Sequence, residues 1–469
     1  MLQFLGSEQR AGNVWTRREL LRVGGLSAMG LTLPDTVKPA LAAPVEPGFG
    51  RAQSCLVIFL FGGPSQLDMW DMKPEAPDGI RGEFAPIGTN VAGIQVSEHL
   101  PRLAQQADKY CLLRSMTHPR PKHGWGLYYM MTGRHHNRPD LDAPPTPDDF
   151  PGLGPLVTKL AHYDPHVPPA VTVPRWNRFL DLPNDYAGER AGFLGTGYDP
   201  WLAQPRSEDG LSFSMNELSL PMSVPPGRLA DRRDLLAAVD RSISRWGERG
   251  QHNDELRQRA FNLLAASSVR EAFDLTREPE RLRDDYGRHP FGQAMLLARR
   301  LVEAGTRMIQ VNWHNDGSDV KSPFWDTHKD NFNRLKTSLL PPLDESLSAL
   351  LQDLHLRGLL ESTLVLVMGE FGRTPRIGQV VANGATDQAG RDHWPHAYSV
   401  LMAGGGVPGG TVYGATDKDA AYVVDNAVTP PDLQATVLHL LGIDPHTTIY
   451  DRQDLPHPAS LGQPVLGML

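Results

Sequence analysis

The sequence predicts an α/β protein with a doubly wound, mostly parallel sheet, helices on both faces of the sheet and a helical insertion. Short, continuous apolar runs recur along the chain, which is typical of strands that are buried on both faces. Between these runs lie segments whose apolar residues follow a helical period. The alternation of the two kinds of segment predicts the doubly wound sheet.

Six apolar runs are the predicted strands. In chain order they are CLVIFLF at 55–61, YCLLRSM at 110–116, AVTV at 170–173, RMIQVNW at 307–313, TLVLVM at 363–368 and AYSVLMAG at 397–404. We expect the runs that end near residues 61, 313 and 368 to be neighbours. The only two cysteines, Cys55 and Cys111, lie at the start of two runs, so we expect two free buried thiols, with one disulfide as the alternative.

The helical patterns alternate with these runs. They cover residues 97–109, 290–305, 343–359 and 430–442. Ser97 is an N-cap residue type for the first, and Gly305 signals the end of the second. The third carries an apolar stripe, and the fourth has prolines at its start and a glycine at its end.

Residues 175–289 interrupt the alternation, because they begin rich in loops and continue into charged helices. We predict an inserted cap or lid within one domain of residues 43–469. An independent domain is the alternative, but the strand pattern resumes at residue 307 as if uninterrupted.

The N-terminal residues predict export. The segment TRRELLR at 16–22 precedes the weakly apolar run VGGLSAMGLTL and then ALAAP, the order of a twin-arginine signal peptide over residues 1–42. A cytosolic N-terminal helix is the alternative. We therefore expect a periplasmic or secreted protein whose partner is the twin-arginine export machinery. No other stretch is long and apolar enough for a stable membrane span, which needs ~20 residues.

Composition and motifs exclude several classes of protein. The 469 residues carry a net charge of -8, which gives no basic footprint for nucleic acid. Hydrophobic residues make up 40% of the chain, enough for a large core. The sequence contains no G-x-S-x-G elbow, no P-loop and no H-E-x-x-H motif.

Ionisable residues cluster where the predicted strands end, which is where ligands bind in such sheets. The loop after the first strand holds Asp68 and Asp71, for which an Asp-capped turn is the alternative. Residues 115–136 hold four histidines, which favours an anion or metal site over structural imidazoles. These histidines are His118, His123, His135 and His136.

Two further groups lie nearer the C-terminus. Residues 312–332 offer an Asp/His mixture that suits zinc, manganese or iron, unless the loop is merely solvated. Its members are His314, Asp316, Asp319, Asp326, His328 and Asp330. Around the last two strands stand Glu370, Arg373, Arg391, Asp392, His393 and His396. The two arginines match the geometry of phosphate or sulfate, with an internal Arg–Glu pair as the alternative.

The order of these motifs resembles the alkaline phosphatase superfamily, which includes sulfatases and phosphopentomutases. More closely, the chain resembles a bacterial family of secreted, sulfatase-like proteins known as a domain of unknown function. The resemblance covers nearly all of residues 54–469 apart from the insertion. YYMMTGRHH resembles the Leu-Thr-Gly-Arg after a sulfatase nucleophile, and WDTHKDNF and GRDHWPHAYSVLMAG resemble the metal-binding loops of phosphopentomutases.

The chain also departs from that superfamily. Its first strand ends in Gly62-Gly63 instead of a metal-binding Asp, with Asp68 following later. Sulfatases have a Cys or Ser nine residues before the Thr-Gly, and this chain has His123 there, which excludes a formylglycine nucleophile. The nearest hydroxyls are those of Ser115 and Thr117. Where the superfamily has Asp-His-Gly, the chain has Glu370-Phe371-Gly372.

The resemblance implies a metal-dependent hydrolase that acts on phosphate or sulfate esters of small molecules or glycans. It implies a divalent metal ion, namely zinc, manganese or calcium, held by Asp68, Asp326, His328, Glu370 and His393. The catalytic candidates are Thr117, His123, Arg373 and Arg391. The alternative is a non-catalytic protein that binds anions or sulfated glycans on the same fold.

Overall fold

A central sheet organises the part of the chain that the structure describes. The computed structural model describes residues 46–136, 138, 144–178, 184–215, 267–313, 325–382, 387 and 389–469. The strands of this sheet are β1 (Ser54–Phe59), β2 (Tyr110–Met116), β3 (Ala170–Val173), β4 (Trp201–Leu202), β5 (Met308–Asn312), β6 (Thr363–Met368), β7 (Tyr398–Ala403) and β8 (Thr411–Tyr413). Their spatial order is β8-β2-β7-β6-β1-β5-β3-β4.

The sheet is mostly parallel, as predicted. β7 runs antiparallel to both of its neighbours, β6 and β2. The other pairs of this sheet are parallel. β1 lies between β5 and β6, so the prediction that the strands ending near residues 61, 313 and 368 are neighbours is confirmed.

The central strands are buried on both faces. All residues of β1, β6 and β7 are buried. Because side chains alternate between the faces of a strand, this burial explains the continuous apolar runs. Cys55 in β1 and Cys111 in β2 are free and buried, as expected.

Helices and smaller strand pairs connect these strands. The helices are α1 (Gln66–Met69), α2 (Asp78–Arg81), α3 (Pro101–Ala104), α4 (His123–Thr132), α5 (Leu153–Leu160), α6 (Ser267–Ala272), α7 (Glu280–Asp285), α8 (Pro290–Glu303), α9 (Asn331–Arg334), α10 (Leu340–Leu356) and α11 (Pro430–Leu440). A π-helical turn, Leu335–Leu339, joins α9 to α10. The 3-10 turns are Ala107–Lys109, Gly192–Leu194, Thr196–Tyr198, Leu275–Arg277, Leu360–Ser362 and Leu466–Met468.

Five short antiparallel pairs lie outside the central sheet in the described residues. They are Pro86–Gly88 with Gln95–Ser97, Gln204–Pro205 with Phe213–Ser214, Gly372–Arg373 with His393–Trp394, Ala415–Thr416 with Val423–Asp425, and Thr448–Tyr450 with Pro456–Pro458. The pair that contains His393 stands just before β7. It therefore lies at the sheet edge where β6 ends.

The predicted helix over residues 97–109 is wrong. Ser97 ends a short strand that pairs with Pro86–Gly88, and α3 begins only at Pro101. Proline fits the first turn of a helix and disfavours helix in the residue before it, so the helix starts there. The carboxylate of Asp344 in α10 accepts the N–H groups of Arg102 and Leu103 at 3.0 and 2.8 Å, the role expected of Ser97.

The predicted insertion is described only in part. Residues 184–215 and 267–289 are described, whereas most of its predicted helices lie outside the described residues. Trp201–Leu202 forms β4, an edge strand that the sequence pattern does not predict. The predicted signal peptide also lies outside the described residues. None of the helices in the described residues is long and apolar enough to span a membrane.

Candidate metal centre

Four side chains converge at the carboxyl edge of the sheet. His123 opens α4 after β2, Asp326 and His328 lie on the loop between β5 and α9, and His393 lies just before β7. One potential ligand atom from each of the four lies within 4.8 Å of the others. The three imidazoles are buried, and the side chain of Asp326 is 13% exposed. We call these four residues the metal cluster.

Three atoms of the cluster form a tight triangle. Nε2 of His328 lies 2.9 Å from Nε2 of His393. Oδ1 of Asp326 lies 3.0 Å from the first of these nitrogens and 3.2 Å from the second. His123 stands beside the triangle, with its Nε2 3.4 Å from Oδ2 of Asp326.

The other ring nitrogens of two histidines face groups that only accept hydrogen bonds. Nδ1 of His393 lies 2.8 Å from the carbonyl oxygen of Pro121, and Nδ1 of His328 lies 3.3 Å from Oδ1 of Asp392. Each Nδ1 can therefore donate a hydrogen to its acceptor, which leaves Nε2 of the same ring to bind a metal ion. In that tautomer two nitrogen lone pairs and a carboxylate oxygen face one another, and a cation between them would remove the repulsion. This donor set fits a divalent metal ion.

The charges of the cluster depend on one another. Burial raises the pKa of Asp326, but His123 and Arg373 lower it more and hold it well below its usual range. Burial lowers the pKa of His123, but the carboxylates of Asp326 and Glu370 raise it to about 9. Burial and the neighbouring charge of His123 lower the pKa of His393 to about 3. In the absence of metal the cluster therefore contains a carboxylate, an imidazolium and a neutral imidazole.

Arg373 positions Asp326. Its Nη2 lies 2.5 Å from Oδ1 of Asp326 and also donates to the carbonyl of Trp325 at 3.1 Å. Nη2 also donates to the carbonyl of Gly62, and Nε donates to the carbonyl of Gly63 at 2.8 Å. Gly62 has a φ of +119°, and a Cβ there would collide with the backbone of Trp325 and Asp326, so this approach requires glycine. Arg373 thus fastens the β1 loop to the loop that carries Asp326.

Glu370 holds His123 from the opposite side of the imidazole ring. Its Oε1 lies 2.5 Å from Nδ1 of His123. Both of its carboxylate oxygens accept the N–H of Gly62, at 2.9 and 3.1 Å. The sequence suggests Glu370 as a metal ligand, but the structure places its carboxylate behind His123 and not in the triangle.

Asp68 and Arg391 form a separate buried ion pair. Nε and Nη2 of Arg391 donate to the two carboxylate oxygens of Asp68 at 2.8 and 3.1 Å. Ser65 and Asn331 also donate to Asp68, at 2.6 and 2.9 Å. The remaining N–H groups of Arg391 donate to the carbonyls of Ile80, Thr374 and Pro375. All five N–H donors of Arg391 are therefore used within the protein, and its side chain is fully buried.

The other predicted site residues have separate surroundings. Thr117 is half-buried after β2, and its N–H donates to the carbonyl of Val428. Nε2 of His118 lies 2.6 Å from the carbonyl oxygen of Glu370, and burial lowers the pKa of this imidazole to about 4.

The remaining candidates contact residues outside the metal cluster. Asp71 pairs with Lys73, His135 stacks on Tyr129, and His136 lies near Asp149. His396 packs on Tyr422, and Asp330 precedes α9. His314, Asp316 and Asp319 lie outside the described residues.

Sequence reasoning missed two features of the cluster. The first is that Asp392 contacts His328, for which the adjacent Asp392-His393 pair is the only sequence signal. The second is the role of Phe371, whose fully buried ring lies 4.9 Å from the ring of His123 and 4.5 Å from that of His393. Phe371 supplies an apolar wall where the superfamily pattern has histidine.

Several solved structures are similar to this chain. A sulfatase from Pseudoalteromonas sp. has 14% identity and a TM-score of 0.36, over 85% of this chain and 68% of that chain. A phosphonate monoester hydrolase from Silicibacter pomeroyi has 11% identity and a TM-score of 0.32, over 88% and 75%. A protein in the alkaline phosphatase superfamily from Vibrio parahaemolyticus has 11% identity and a TM-score of 0.35, over 87% and 72%.

Comparison at the level of sequence gives a family. A comparison with curated proteins finds no match. A family model matches residues 52–468, almost the whole chain that follows the predicted signal peptide. The chain therefore belongs to the family described as "Protein of unknown function (DUF1501)".

Proposed function

We propose that the protein is a metal-dependent hydrolase that acts on phosphate or sulfate esters of small molecules or glycans. The observation that carries the proposal is the triangle of His328 Nε2, His393 Nε2 and Asp326 Oδ1, whose sides measure 2.9, 3.0 and 3.2 Å. Two imidazole nitrogens and a carboxylate oxygen at this spacing form a donor set that suits a divalent cation. Three protein ligands also leave a coordination position open, as catalytic metal sites require.

The donor set favours zinc or manganese over calcium, because calcium prefers oxygen ligands alone and the triangle supplies two nitrogens. A divalent ion bound there would act as a Lewis acid, polarising an ester oxygen and lowering the pKa of an attacking water. Arg373 and Asp392 would hold Asp326 and His328 in their orientations, as outer partners of metal ligands commonly do.

His123 is the proposed proton donor. Its Nε2 lies 3.4 Å from Oδ2 of Asp326, and Oε1 of Glu370 lies 2.5 Å from its Nδ1. Although burial lowers its pKa, the neighbouring carboxylates raise it to about 9, so the ring is protonated at pH 7 in the metal-free protein. In the metal-loaded protein, Nε2 of His123 would give its proton to the oxygen of the leaving alcohol.

One observation favours a second candidate, a non-catalytic protein that binds anions or sulfated glycans. Arg373 and Arg391 are the residues expected to stabilise the charge of an ester, and both are fully buried. Arg391 is committed to Asp68 and to backbone carbonyls, and Arg373 to Asp326 and backbone carbonyls. The charge stabilisation that hydrolysis needs must then come from the metal ion and His123.

Hydrolysis assays distinguish the two candidates. Protein loaded with zinc or manganese is tested on 4-nitrophenyl phosphate and 4-nitrophenyl sulfate, beside His123→Asn. The hydrolase proposal predicts turnover by the wild type and a loss of ~100-fold or more in kcat for His123→Asn with metal retained, the contribution typical of a general acid.

His439→Asn is the matched control. His439 is also a buried imidazole, with its Nε2 2.7 Å from the carbonyl of Pro47, and it belongs to α11 and not to the cluster. Its variant should keep full turnover. A metal-loaded wild type that hydrolyses neither ester would contradict the hydrolase and favour the binding protein.

We also propose export by the twin-arginine pathway to the periplasm or beyond, supported by the order of segments in residues 1–42. The pathway's receptor reads the arginine pair itself, so Arg17→Lys with Arg18→Lys should trap the precursor in the cytoplasm. Arg22→Lys, outside the pair, is the control. Normal periplasmic accumulation of the double variant would overturn this proposal.

A further inference from the structure

Asp392 joins the metal cluster to a surface segment. Its side chain is fully buried. Oδ1 lies 3.3 Å from Nδ1 of His328 and accepts the N–H of His393 at 2.7 Å. Oδ2 accepts the N–H groups of Val381 and Ala382 at 2.5 and 2.8 Å. One carboxylate therefore accepts hydrogen bonds from the backbone of residues 381–382 and lies beside the imidazole of a candidate metal ligand.

These bonds depend on one another because the carboxylate is buried. Burial of a carboxylate costs free energy unless hydrogen-bond donors surround it. Loss of one donor therefore makes the buried position of the Asp392 carboxylate less stable. Nδ1 of His328 can act either as a donor or as an acceptor, depending on which ring nitrogen carries the hydrogen. The three backbone N–H groups have no such choice. His328 is thus the variable member of the set.

We propose that Asp392 is a positioning residue that couples metal binding at His328 to the order of backbone residues 381–382. The inference rests on the proposed metal site. A metal ion on Nε2 of His328 fixes the hydrogen on Nδ1, where it is donated to Asp392. Without metal, the hydrogen can move to Nε2 and be donated to Asp326 or His393. The Nδ1 lone pair then faces the carboxylate of Asp392, and the repulsion loosens its bonds to Val381 and Ala382.

The segment that would respond lies at the surface. The side chains of Val380 and Val381 are 53% and 43% exposed. Amides in such a segment exchange hydrogen with solvent readily unless they are bonded, so their exchange rate reports the bonds to Asp392. The coupling is reciprocal. If metal binding shifts the ordering equilibrium of this segment by a given factor, ordering of the segment raises the metal-binding constant by the same factor.

Hydrogen exchange measured by mass spectrometry tests the inference. The full chain is compared after chelation and after saturation with zinc, with bound zinc counted in the same samples. We expect the amide hydrogens of residues 381–382 to exchange at least ~5-fold more slowly when zinc is bound. This factor is at the lower end of typical coupling between two sites. Exchange that stays the same when zinc is bound overturns the inference and leaves the proposed function standing. A chain that binds no zinc overturns both.

Asp392→Asn gives a second, independent readout. An amide nitrogen placed toward Nδ1 of His328 favours the hydrogen on Nε2, which is the form that cannot bind metal. We expect zinc affinity to fall ~10- to 100-fold and the exchange of residues 381–382 to stay fast in zinc-saturated variant protein.

The matched control is Asp387→Asn, an exposed aspartate whose Oδ1 accepts the N–H of Ala389 at 3.0 Å. It should keep wild-type zinc affinity. Folded Asp392→Asn with wild-type affinity and zinc-dependent protection would overturn the proposal. If that variant does not fold, the wild-type exchange experiment decides alone.

Discussion

Two groups of buried charges lie at the same edge of the sheet and differ in how their hydrogen bonds are matched. In the Asp68–Arg391 pair, the carboxylate receives donors from Arg391, Ser65 and Asn331, and every N–H of the guanidinium has an acceptor. In the metal cluster, two imidazole nitrogens and a carboxylate oxygen face one another within 3.2 Å. The pair is a closed set of donors and acceptors, whereas the cluster brings together ligand atoms that suit a metal ion.

This difference shows why residue type alone does not locate a ligand site. The pair and the cluster both offer an aspartate beside a cationic group, and the sequence suggests both as site residues. Only the balance of donors and acceptors separates them. A matched ion pair stabilises the connection between loops, whereas imidazole nitrogens grouped around a carboxylate oxygen suit a cation.

The largest effect is expected from breaking the matched pair. Asp68→Ala leaves the guanidinium of Arg391 buried without its counter-ion, which typically costs about 3–5 kcal/mol in the free energy of unfolding. Urea denaturation measures this loss, and metal analysis of the folded variant should give the wild-type metal content. A folded variant that has lost its metal would place Asp68 among the ligands.

The control for this variant is an exposed ion pair. Asp148 and Arg452 lie 3.1 Å apart with side chains 72% and 55% exposed. Asp148→Ala should cost no more than about 1 kcal/mol, since water screens the pair. Equal losses of unfolding free energy in Asp68→Ala and Asp148→Ala would mean that the buried ion pair stabilises the fold no more than the exposed one.

The next effect concerns pH. In the chelated protein, the pKa of His123 is about 9, raised against burial by Asp326 and Glu370, compared with 6.5 for an unperturbed imidazole. Protonated His123 therefore stabilises the fold fully below pH 6.5, and this contribution is lost as the pH rises through 9. The difference between these two pKa values corresponds to at most about 3 kcal/mol in the free energy of unfolding.

Unfolding by urea at pH 6, 7.5 and 9 measures this contribution as the difference between wild type and His123→Asn. We expect the difference to shrink as the pH rises. A difference that is the same at all three pH values would mean that the metal cluster does not hold an imidazolium.

The smallest effect is expected from Glu370→Gln. Glutamine keeps the shape of the side chain but removes the charge that holds His123, which should cost about 1.5–3 kcal/mol. Because Glu370 lies behind His123, we expect the variant to keep its metal while hydrolysis falls. Loss of metal by the folded variant would make Glu370 a ligand, as the sequence suggests, and would enlarge the cluster.

The sequence predicts the sheet well because its signal is local. The runs at 110–116, 170–173 and 363–368 coincide with β2, β3 and β6. Burial on both faces demands an unbroken apolar run, which can be read one strand at a time. Two misses also have local causes: Pro101 delays the predicted helix, and β4 is only two residues long.

The sequence predicts the neighbourhood of the site but not its contacts. Asp326, His328 and His393 can be named because Asp and His at the ends of strands are typical of metal sites. That Arg391 binds Asp68, 323 positions away, is fixed by the packing of two loops and leaves no trace in the local pattern. The position of Glu370 is likewise set by tertiary packing, because His123 lies between its carboxylate and the triangle.

The metal content of the wild type and of His393→Ala decides whether the metal cluster binds an ion. Both are purified without chelator, dialysed against zinc or manganese and then against buffer, and analysed by mass spectrometry of the elements, with His439→Ala as the buried-histidine control. The account predicts about one ion per chain in the wild type and the control, and close to none in folded His393→Ala. A wild type that retains no metal, or a His393→Ala variant that retains a full ion, would contradict it.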